Sequence, residues 1–139
     1  MLEELFPGLR GSAWRVTSSV DMNYNCVSWA IGVSDKVWWP DLEKVDHWPR
    51  DIPRSSHIDH FALFFDKLGF VPCADEELDS GFEKIALFGV ASHVRHVARQ
   101  LDSIRWTSKL GRLEDIEHEL HALEGDEYGR VMLLMRRKQ

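Results

Sequence analysis

The chain has 139 residues, of which 44% are hydrophobic and 29% charged, and this composition is typical of one globular domain rather than a disordered or collagen-like chain. Its 17 basic and 23 acidic residues give a net charge of −6, which disfavours nucleic acid as a partner. Its apolar runs are far shorter than the roughly 20 residues that span a bilayer. Acidic residues stand where a secretory signal would carry basic ones, so we expect a single cytoplasmic domain over residues 1–139 with no membrane partner.

The N-terminal part of the chain predicts one short helix. Turn-forming residues surround one extended segment, Ala13 to Val20, within the first 25 residues. The apolar run from Cys26 to Ile31 has helical length, with Asn25 placed as an N-cap and Gly32 as a stop. The pattern therefore places Cys26 in the first turn of a short buried helix.

Residues 34–54 are predicted to form a loop, because three prolines exclude a long helix or strand there. The loop carries Trp38, Trp39 and Trp48. These rings would either line a substrate groove for an extended peptide or glycan, or pack over the core, and the sequence favours neither.

The remainder of the chain predicts an amphipathic helix followed by an antiparallel meander. The helix is indicated by apolar residues at helical spacing, with Gly69 after them: Ile58, Phe61, Phe65 and Leu68. Four segments have the pattern of strands: 84–90, 94–101, 104–110 and 128–135. A second helix is expected before the last strand, on the spacing of Leu113, Ile116, Leu120 and Leu123. Helices first and strands later predict an α+β domain.

Cys26 is the candidate nucleophile. A helix N-terminus stabilises a thiolate through its exposed backbone amides and the positive end of its dipole. The same amides, with Asn23 or Asn25, would hold an oxyanion during acyl transfer. The alternative is that Cys26 is a buried structural thiol on an apolar helix. The other cysteine, Cys73, forms neither a CxxC pair nor a zinc pattern with it.

A thiol nucleophile needs an imidazole base within hydrogen-bond reach. Strand alternation groups Val94, His96 and Ala98 on one face, as expected for residues that face a helix, whereas His93 falls in the preceding loop. His96 is therefore the preferred base. The alternative is a partly buried histidine that bonds a backbone carbonyl.

A third polar group must orient the imidazole. Ser108 on the following strand is a candidate, and Thr107, Glu117 and His118 stay open as alternatives. Histidine pairs at i, i+3 spacing recur in the chain, but they lack the third and fourth convergent ligands of a zinc site. No metal and no cofactor are therefore predicted.

Several motifs, spread over roughly residues 20 to 136, carry a resemblance to a known family. They are Tyr24–Gly32, Trp38–Pro40, Gly81–Ala86, His96–Leu101, Trp106–Gly111 and Asp115–His118. In this order they resemble a family of small uncharacterised bacterial domains, which is similar to the NlpC/P60-like branch of the papain-like cysteine hydrolases.

The resemblance implies a papain-like fold, in which N-terminal helices pack on an antiparallel sheet of about four to five strands. It also implies a thiol hydrolase that cleaves an amide bond in a peptide, a protein or a peptidoglycan-like substrate, with Cys26 as nucleophile and His96 as base. It carries over no third residue. The alternative is a catalytically inactive papain-like module that binds a protein partner.

Overall fold

Most of the chain is built into one antiparallel sheet. The computed structural model describes residues 1–111 and 113–139. Within these ranges the sheet has seven strands: β1 (Arg15–Ser18), β2 (Val71–Cys73), β3 (Phe82–Val90), β4 (His93–Gln100), β5 (Arg105–Lys109), β6 (Asp115–Glu119) and β7 (Arg130–Lys138). The helices are α1 (Leu2–Leu5), α2 (Cys26–Ala30) and α3 (Ile58–Lys67), with 3-10 turns at Pro7–Leu9 and Leu120–Leu123. The strand order is β1-β6-β5-β4-β3-β7-β2.

The predicted fold class is wrong. A papain-like α+β arrangement, with N-terminal helices packed on four to five strands, is not what the chain adopts: over the described residues the fold is β-rich, with seven strands and only short helices. The four predicted strands are present as β3, β4, β5 and β7. The other three are two short edge strands, β1 and β2, and the interior strand β6, which lies next to β1.

Strand β6 occupies the segment for which the apolar spacing predicts a second helix. Asp115 and His118 are buried in this strand together with Ile116, so polar residues conceal the alternation that a strand normally shows. The strand pairs with β1 on one side and β5 on the other. Two partner strands fix its conformation, and only the 3-10 turn Leu120–Leu123 remains helical.

Helix α2 begins at Cys26, as predicted, because Asn25 caps it. The Asn25 side chain accepts a hydrogen bond from the Ser28 backbone at 3.2 Å, and the Ser28 hydroxyl accepts one from the Asn25 backbone at 2.8 Å. Gly32 follows the helix with a φ of 80°. The predicted helix at Ile58–Lys67 is also confirmed.

The sheet separates two hydrophobic clusters, since both of its faces are covered. Helices α2 and α3 pack on one face, where the first cluster includes Cys26, Phe61 and Val97. The N-terminal segment and the Leu120–Leu123 turn cover the other face, where the second cluster includes Phe88. Cys26 therefore lies on the α2 face of the sheet.

A β-bulge in β4 decides which face its side chains occupy. His96 pairs with Phe88, but the next pair along β3 joins Gly89 to Val94, so Arg95 is an extra residue in β4. An extra residue reverses the alternation of side chains on either side of it. Val94 consequently lies in the cluster of Cys26, whereas His96 contacts the ring of Phe88 in the other cluster.

Candidate functional site

Cys26 stands in the first turn of α2 with only 4% of its surface exposed. Burial raises the pKa of its thiol to about 11, although the backbone amides of Val97, Val27 and Cys26 itself act in the opposite direction. The thiol is therefore protonated at neutral pH. The amide of Val97 belongs to β4, so the sulfur lies where α2 meets that strand.

A cleft of about 240 Å³ opens beside this thiol. Its wall is mostly apolar and aromatic, with Trp39 and Tyr128 among its residues, and Arg95 also lines it. Arg95 donates hydrogen bonds to the carbonyl oxygens of Asp126 and Glu127 at 3.2 and 3.4 Å. The bulge that reverses β4 thus places a guanidinium at the cleft that contains Cys26.

The three loop tryptophans do not form one groove. Trp48 is buried and stacks on Phe64 with ring centroids 4.8 Å apart, so it belongs to the core. Trp38 packs against the same phenylalanine at 5.8 Å. Of the three rings, Trp39 lines the Cys26 cleft. Trp48 and Trp38 therefore follow the packing alternative, whereas Trp39, which also packs on Phe61, remains at the cleft.

The two predicted oxyanion residues lie in different surroundings. Asn25 lines the cleft, but its amide group is engaged: it accepts from the backbones of Ser28 and Trp38 and donates to the carbonyl of Trp38 at 2.8 Å. Asn23 is exposed, and its backbone N–H bonds the side chain of Asp21. The groups that converge on the Cys26 sulfur are instead backbone amides.

His96 is completely buried and does not face α2 as the alternation predicts. Its ring stacks flat on Tyr128 and lies 5.5 Å from Phe88. Among the described residues, no hydrogen bond joins His96 to Cys26, and Nδ1 of His96 is buried with no partner. Tyr128 connects the two environments, since it contacts His96 and also lines the Cys26 cleft.

Ser108 joins His96 to a second buried histidine, His118. Its hydroxyl oxygen lies 2.8 Å from Nε2 of His96 and 2.7 Å from Nε2 of His118. Nδ1 of His118 lies 2.7 Å from the carbonyl oxygen of Glu119. The three side chains come from β4, β5 and β6, so the sheet itself holds them in line.

The chain of hydrogen bonds assigns every proton in it. The carbonyl oxygen of Glu119 only accepts, so Nδ1 of His118 carries the proton and Nε2 of His118 accepts from the Ser108 hydroxyl. The Ser108 oxygen then accepts from Nε2–H of His96. Nδ1 of His96 is left with a free lone pair.

Burial keeps both imidazoles neutral. Desolvation, together with the neighbouring His118, holds the pKa of His96 well below its usual range. Desolvation lowers the pKa of His118 to about 4, against a raising effect of its bond to Glu119. Burial, then the nearby Cys26 and Glu127, raise the pKa of Tyr128. The site at rest is a neutral thiol beside neutral imidazoles.

Two residues of this arrangement were not singled out by the sequence reasoning in their present roles. The sequence offers His118 as one of several alternatives, on a predicted helix. It lies instead on β6, where the register that pairs it with Trp106 places its ring beside Ser108. Tyr128 was assigned to a strand and no role was predicted for it. The other open alternatives have different partners: Thr107 accepts from the indole N–H of Trp29, and Glu117 pairs with Arg15.

Within residues 1–111 and 113–139, no group of three or more His, Cys, Asp or Glu side chains is arranged to hold a metal ion. Among the same residues no helix is long and apolar enough to cross a bilayer.

A profile of a domain of unknown function, DUF7689, matches residues 15–136. The chain belongs to this family. The DUF7689 match includes Cys26 and the whole His96, Ser108 and His118 chain, and it begins at the first residue of β1. No curated protein and no solved structure matches the chain.

Proposed function

We propose that this DUF7689 domain is a cysteine-dependent hydrolase of amide or related acyl bonds. Cys26 is the nucleophile, His96 is the general base, and Ser108 with His118 orients the base. The proposal concerns the reaction and does not depend on a papain-like fold. The order of a helix-borne cysteine and a strand-borne histidine, which resembles the NlpC/P60-like hydrolases, supports the same reaction class.

One observation carries the proposal: the bonds from Glu119 through His118 and Ser108 fix the tautomer of His96 and leave its Nδ1 lone pair unused. A buried imidazole nitrogen without a partner costs free energy, so a fold retains one where it serves a purpose. His96 directly precedes Val97, whose amide acts on the Cys26 thiol. The thiol therefore lies beside the residue that follows His96, on the opposite face of β4 from the His96 ring.

The reaction needs the Cys26 proton to move to Nδ1 of His96 as the sulfur attacks the acyl carbon. His96 then returns that proton to the leaving group, and a water molecule, deprotonated by the same nitrogen, releases the acyl group from the sulfur. The amides of Cys26, Val27 and Val97 that favour the thiolate would also favour the oxyanion. The reaction requires a local rearrangement of β4 at the Arg95 bulge that turns His96 toward α2, because in the conformation described the sheet lies between the two side chains and no hydrogen bond joins them.

The cleft beside Cys26 supports an acyl donor with an apolar or aromatic side chain. Trp39 and Tyr128 supply flat apolar surfaces, and a guanidinium and a carboxylate, those of Arg95 and Asp46, line the cleft beside them. Peptides, proteins and peptidoglycan-like chains all present such acyl groups, and we propose them as the substrate class.

The test is acylation of Cys26 by p-nitrophenyl acetate, followed by release of p-nitrophenolate and by intact mass. The Cys73→Ser protein is used, so that Cys26 is the remaining thiol. We expect a stoichiometric burst and an acetyl group on Cys26, and no burst after Cys26→Ala. His96→Gln should slow acylation by roughly 10²- to 10⁴-fold, the usual contribution of a general base.

His93→Gln is the matched control, because His93 is an exposed histidine on the same strand. Thermal melting confirms that each variant is folded. The proposal is overturned if folded protein shows no burst, or if His96→Gln and His93→Gln acylate equally fast. The first result would make Cys26 a structural thiol and favour the alternative of an inactive module that binds a protein partner, whereas the second would remove His96 as the base.

A further inference from the structure

A second cleft, of about 360 Å³, lies between α2 and the β1–β6 edge of the sheet. Its lining shares no residue with that of the Cys26 cleft, and it combines two carboxylates, a guanidinium and several hydroxyl groups. One of these carboxylates, that of Glu117, is already bound by Arg15 and Arg105. The residues that matter are Asp115, Ser18, Tyr24, Arg99 and Trp29. The proposed hydrolase mechanism uses none of them.

Asp115 is a buried carboxylate on one wall of this cleft. Only 2% of its surface is exposed. Its Oδ2 accepts hydrogen bonds from Ser18 and Tyr24, both at 2.5 Å, whereas Oδ1 is buried with no partner. Within the described residues Asp115 makes no ion pair. Lys109, its neighbour across the strands, donates to the carbonyl of Leu113, and its ammonium group is close enough for Asp115 to counteract the lowering of its pKa by burial.

The hydroxyl groups around this carboxylate present acceptors to the cleft. Ser18 and Tyr24 each have one hydroxyl proton, and each gives it to Asp115. The oxygen lone pairs that remain point away from the carboxylate. This wall therefore offers acceptors backed by a negative charge, which suits a cationic donor such as an ammonium group.

Arg99 places a hydrogen-bond donor, its guanidinium, on another wall of the same cleft. Its guanidinium lies 5.0 Å from the ring centre of Trp29 and, in the described part of the chain, makes no side-chain hydrogen bond or ion pair. The Glu83 carboxylate raises the pKa of Arg99 by its charge, but it is bound by Arg137. Burial lowers the pKa of Arg99, so the side chain is partly desolvated without a compensating anion.

The strand register sets the separation between the two walls. Arg99 pairs with Thr107, and Thr107 pairs with Glu117, so Arg99 lies two strands from β6. Asp115 is two residues further along the same face of β6. Strand spacing and rise place the Cα atoms of Arg99 and Asp115 about 12 Å apart, and the two side chains shorten the gap to that of a small molecule.

We propose that this cleft binds a small zwitterion of the amino-acid class, with its carboxylate on Arg99 and its ammonium group on Ser18, Tyr24 and Asp115. Trp29 forms the floor between the two charges. A ligand with both groups satisfies a donor and an acceptor that the fold leaves unpaired, whereas a ligand with one group satisfies half of the site. The inference is independent of the hydrolase proposal.

The test is a titration of the full-length chain with glycine, β-alanine, 4-aminobutyrate and 6-aminohexanoate, monitored by Trp fluorescence and by NMR. This series moves the ammonium and carboxylate groups apart in steps. We expect one spacing to bind best. The methyl ester and the N-acetyl derivative of that ligand should each bind about tenfold or more weakly, the usual effect of losing a charge-assisted hydrogen bond.

Arg99→Gln should weaken the best ligand about tenfold, whereas Arg130→Gln, an exposed arginine on β7, should not change binding. Asp115→Asn tests the other wall where that variant folds, and the N-acetyl ligand tests it in any case. Three results overturn the proposal: no member of the series binds in the millimolar range, the ester binds as well as the acid, or the N-acetyl derivative binds as well as the free amine. The last two would assign the cleft to a simple cation or a simple anion.

Discussion

The imidazole of His96 lies flat on the phenol ring of Tyr128, with ring centroids 4.1 Å apart and an interplanar angle of 2°. Phe6 also packs on Tyr128, with ring centroids 4.9 Å apart. The Tyr128 ring therefore contacts the proposed base, His96, and also forms part of the cleft beside the Cys26 thiol.

Replacing Tyr128 should separate the effect of its ring from that of its hydroxyl. Tyr128→Phe keeps both ring contacts, so we expect the free energy of unfolding to change by less than about 0.5 kcal/mol. Tyr128→Ala removes the ring and should cost about 2 kcal/mol. Urea denaturation measures both changes. Equal losses in the two variants would show that the hydroxyl, rather than the stacked ring, is the stabilising group.

Ser108→Ala should destabilise the domain more than the removal of an ordinary serine hydroxyl. The substitution leaves Nε2–H of His96 and Nε2 of His118 buried without partners, which costs about 1–3 kcal/mol. Ser103→Ala, in the exposed turn before β5, is the matched control and should change stability by less than about 0.5 kcal/mol. A loss at Ser108 no larger than the loss at Ser103 would contradict the hydrogen-bond chain.

His118 should make the domain less stable in mild acid. Its pKa falls from 6.5 to about 4 on folding, so folding favours the neutral ring. This contribution is fully present above pH 6.5 and is lost as the pH falls through 4, and it amounts to about 3 kcal/mol. The difference in unfolding free energy between the natural chain and His118→Gln should therefore shrink between these pH values. A difference that stays constant with pH would contradict this.

Gly89→Ala should be strongly destabilising, because a Cβ there would collide with the backbone oxygen of His93 across the bulge and with Met132. We expect a loss of about 3 kcal/mol or more, or a chain that does not fold. Gly32→Ala is the control: Gly32 has a φ of 80° but open space around it, so only backbone strain of about 1–2 kcal/mol applies. Thermal melting ranks the two variants, and the reverse order would show that the strands separate easily at the bulge.

Local signals in the sequence predicted the local structure of this domain well. Asn25 and Ser28 form their capping box within one turn, so the start of α2 is visible in a few residues. The helix at Ile58–Lys67 and strands β3, β4, β5 and β7 are likewise indicated by spacing alone. Ser108 was a candidate for the group that contacts His96, and that contact is present.

Non-local contacts account for what the sequence did not predict. The orientation of His96 depends on the bulge at Arg95, which exists only because β3 and β4 pair with one residue out of step. Strand β6 depends on two partners that are distant in the chain, and its buried Asp115 and His118 carry no apolar signal. Pairing between strands, rather than the properties of a single segment, determined both outcomes.

The N-terminal segment gives the domain a physical boundary that differs from the family boundary. The matched region starts at residue 15, yet Leu2, Phe6 and Leu9 are buried in the second hydrophobic cluster, and Phe6 supports Tyr128. A fragment cut to residues 15–136 would expose Leu120 and Leu123 to solvent. It would also lose the contact of Phe6 with Tyr128, the ring that stacks on His96. The unit that must be expressed is therefore longer than the unit that sequence comparison recognises.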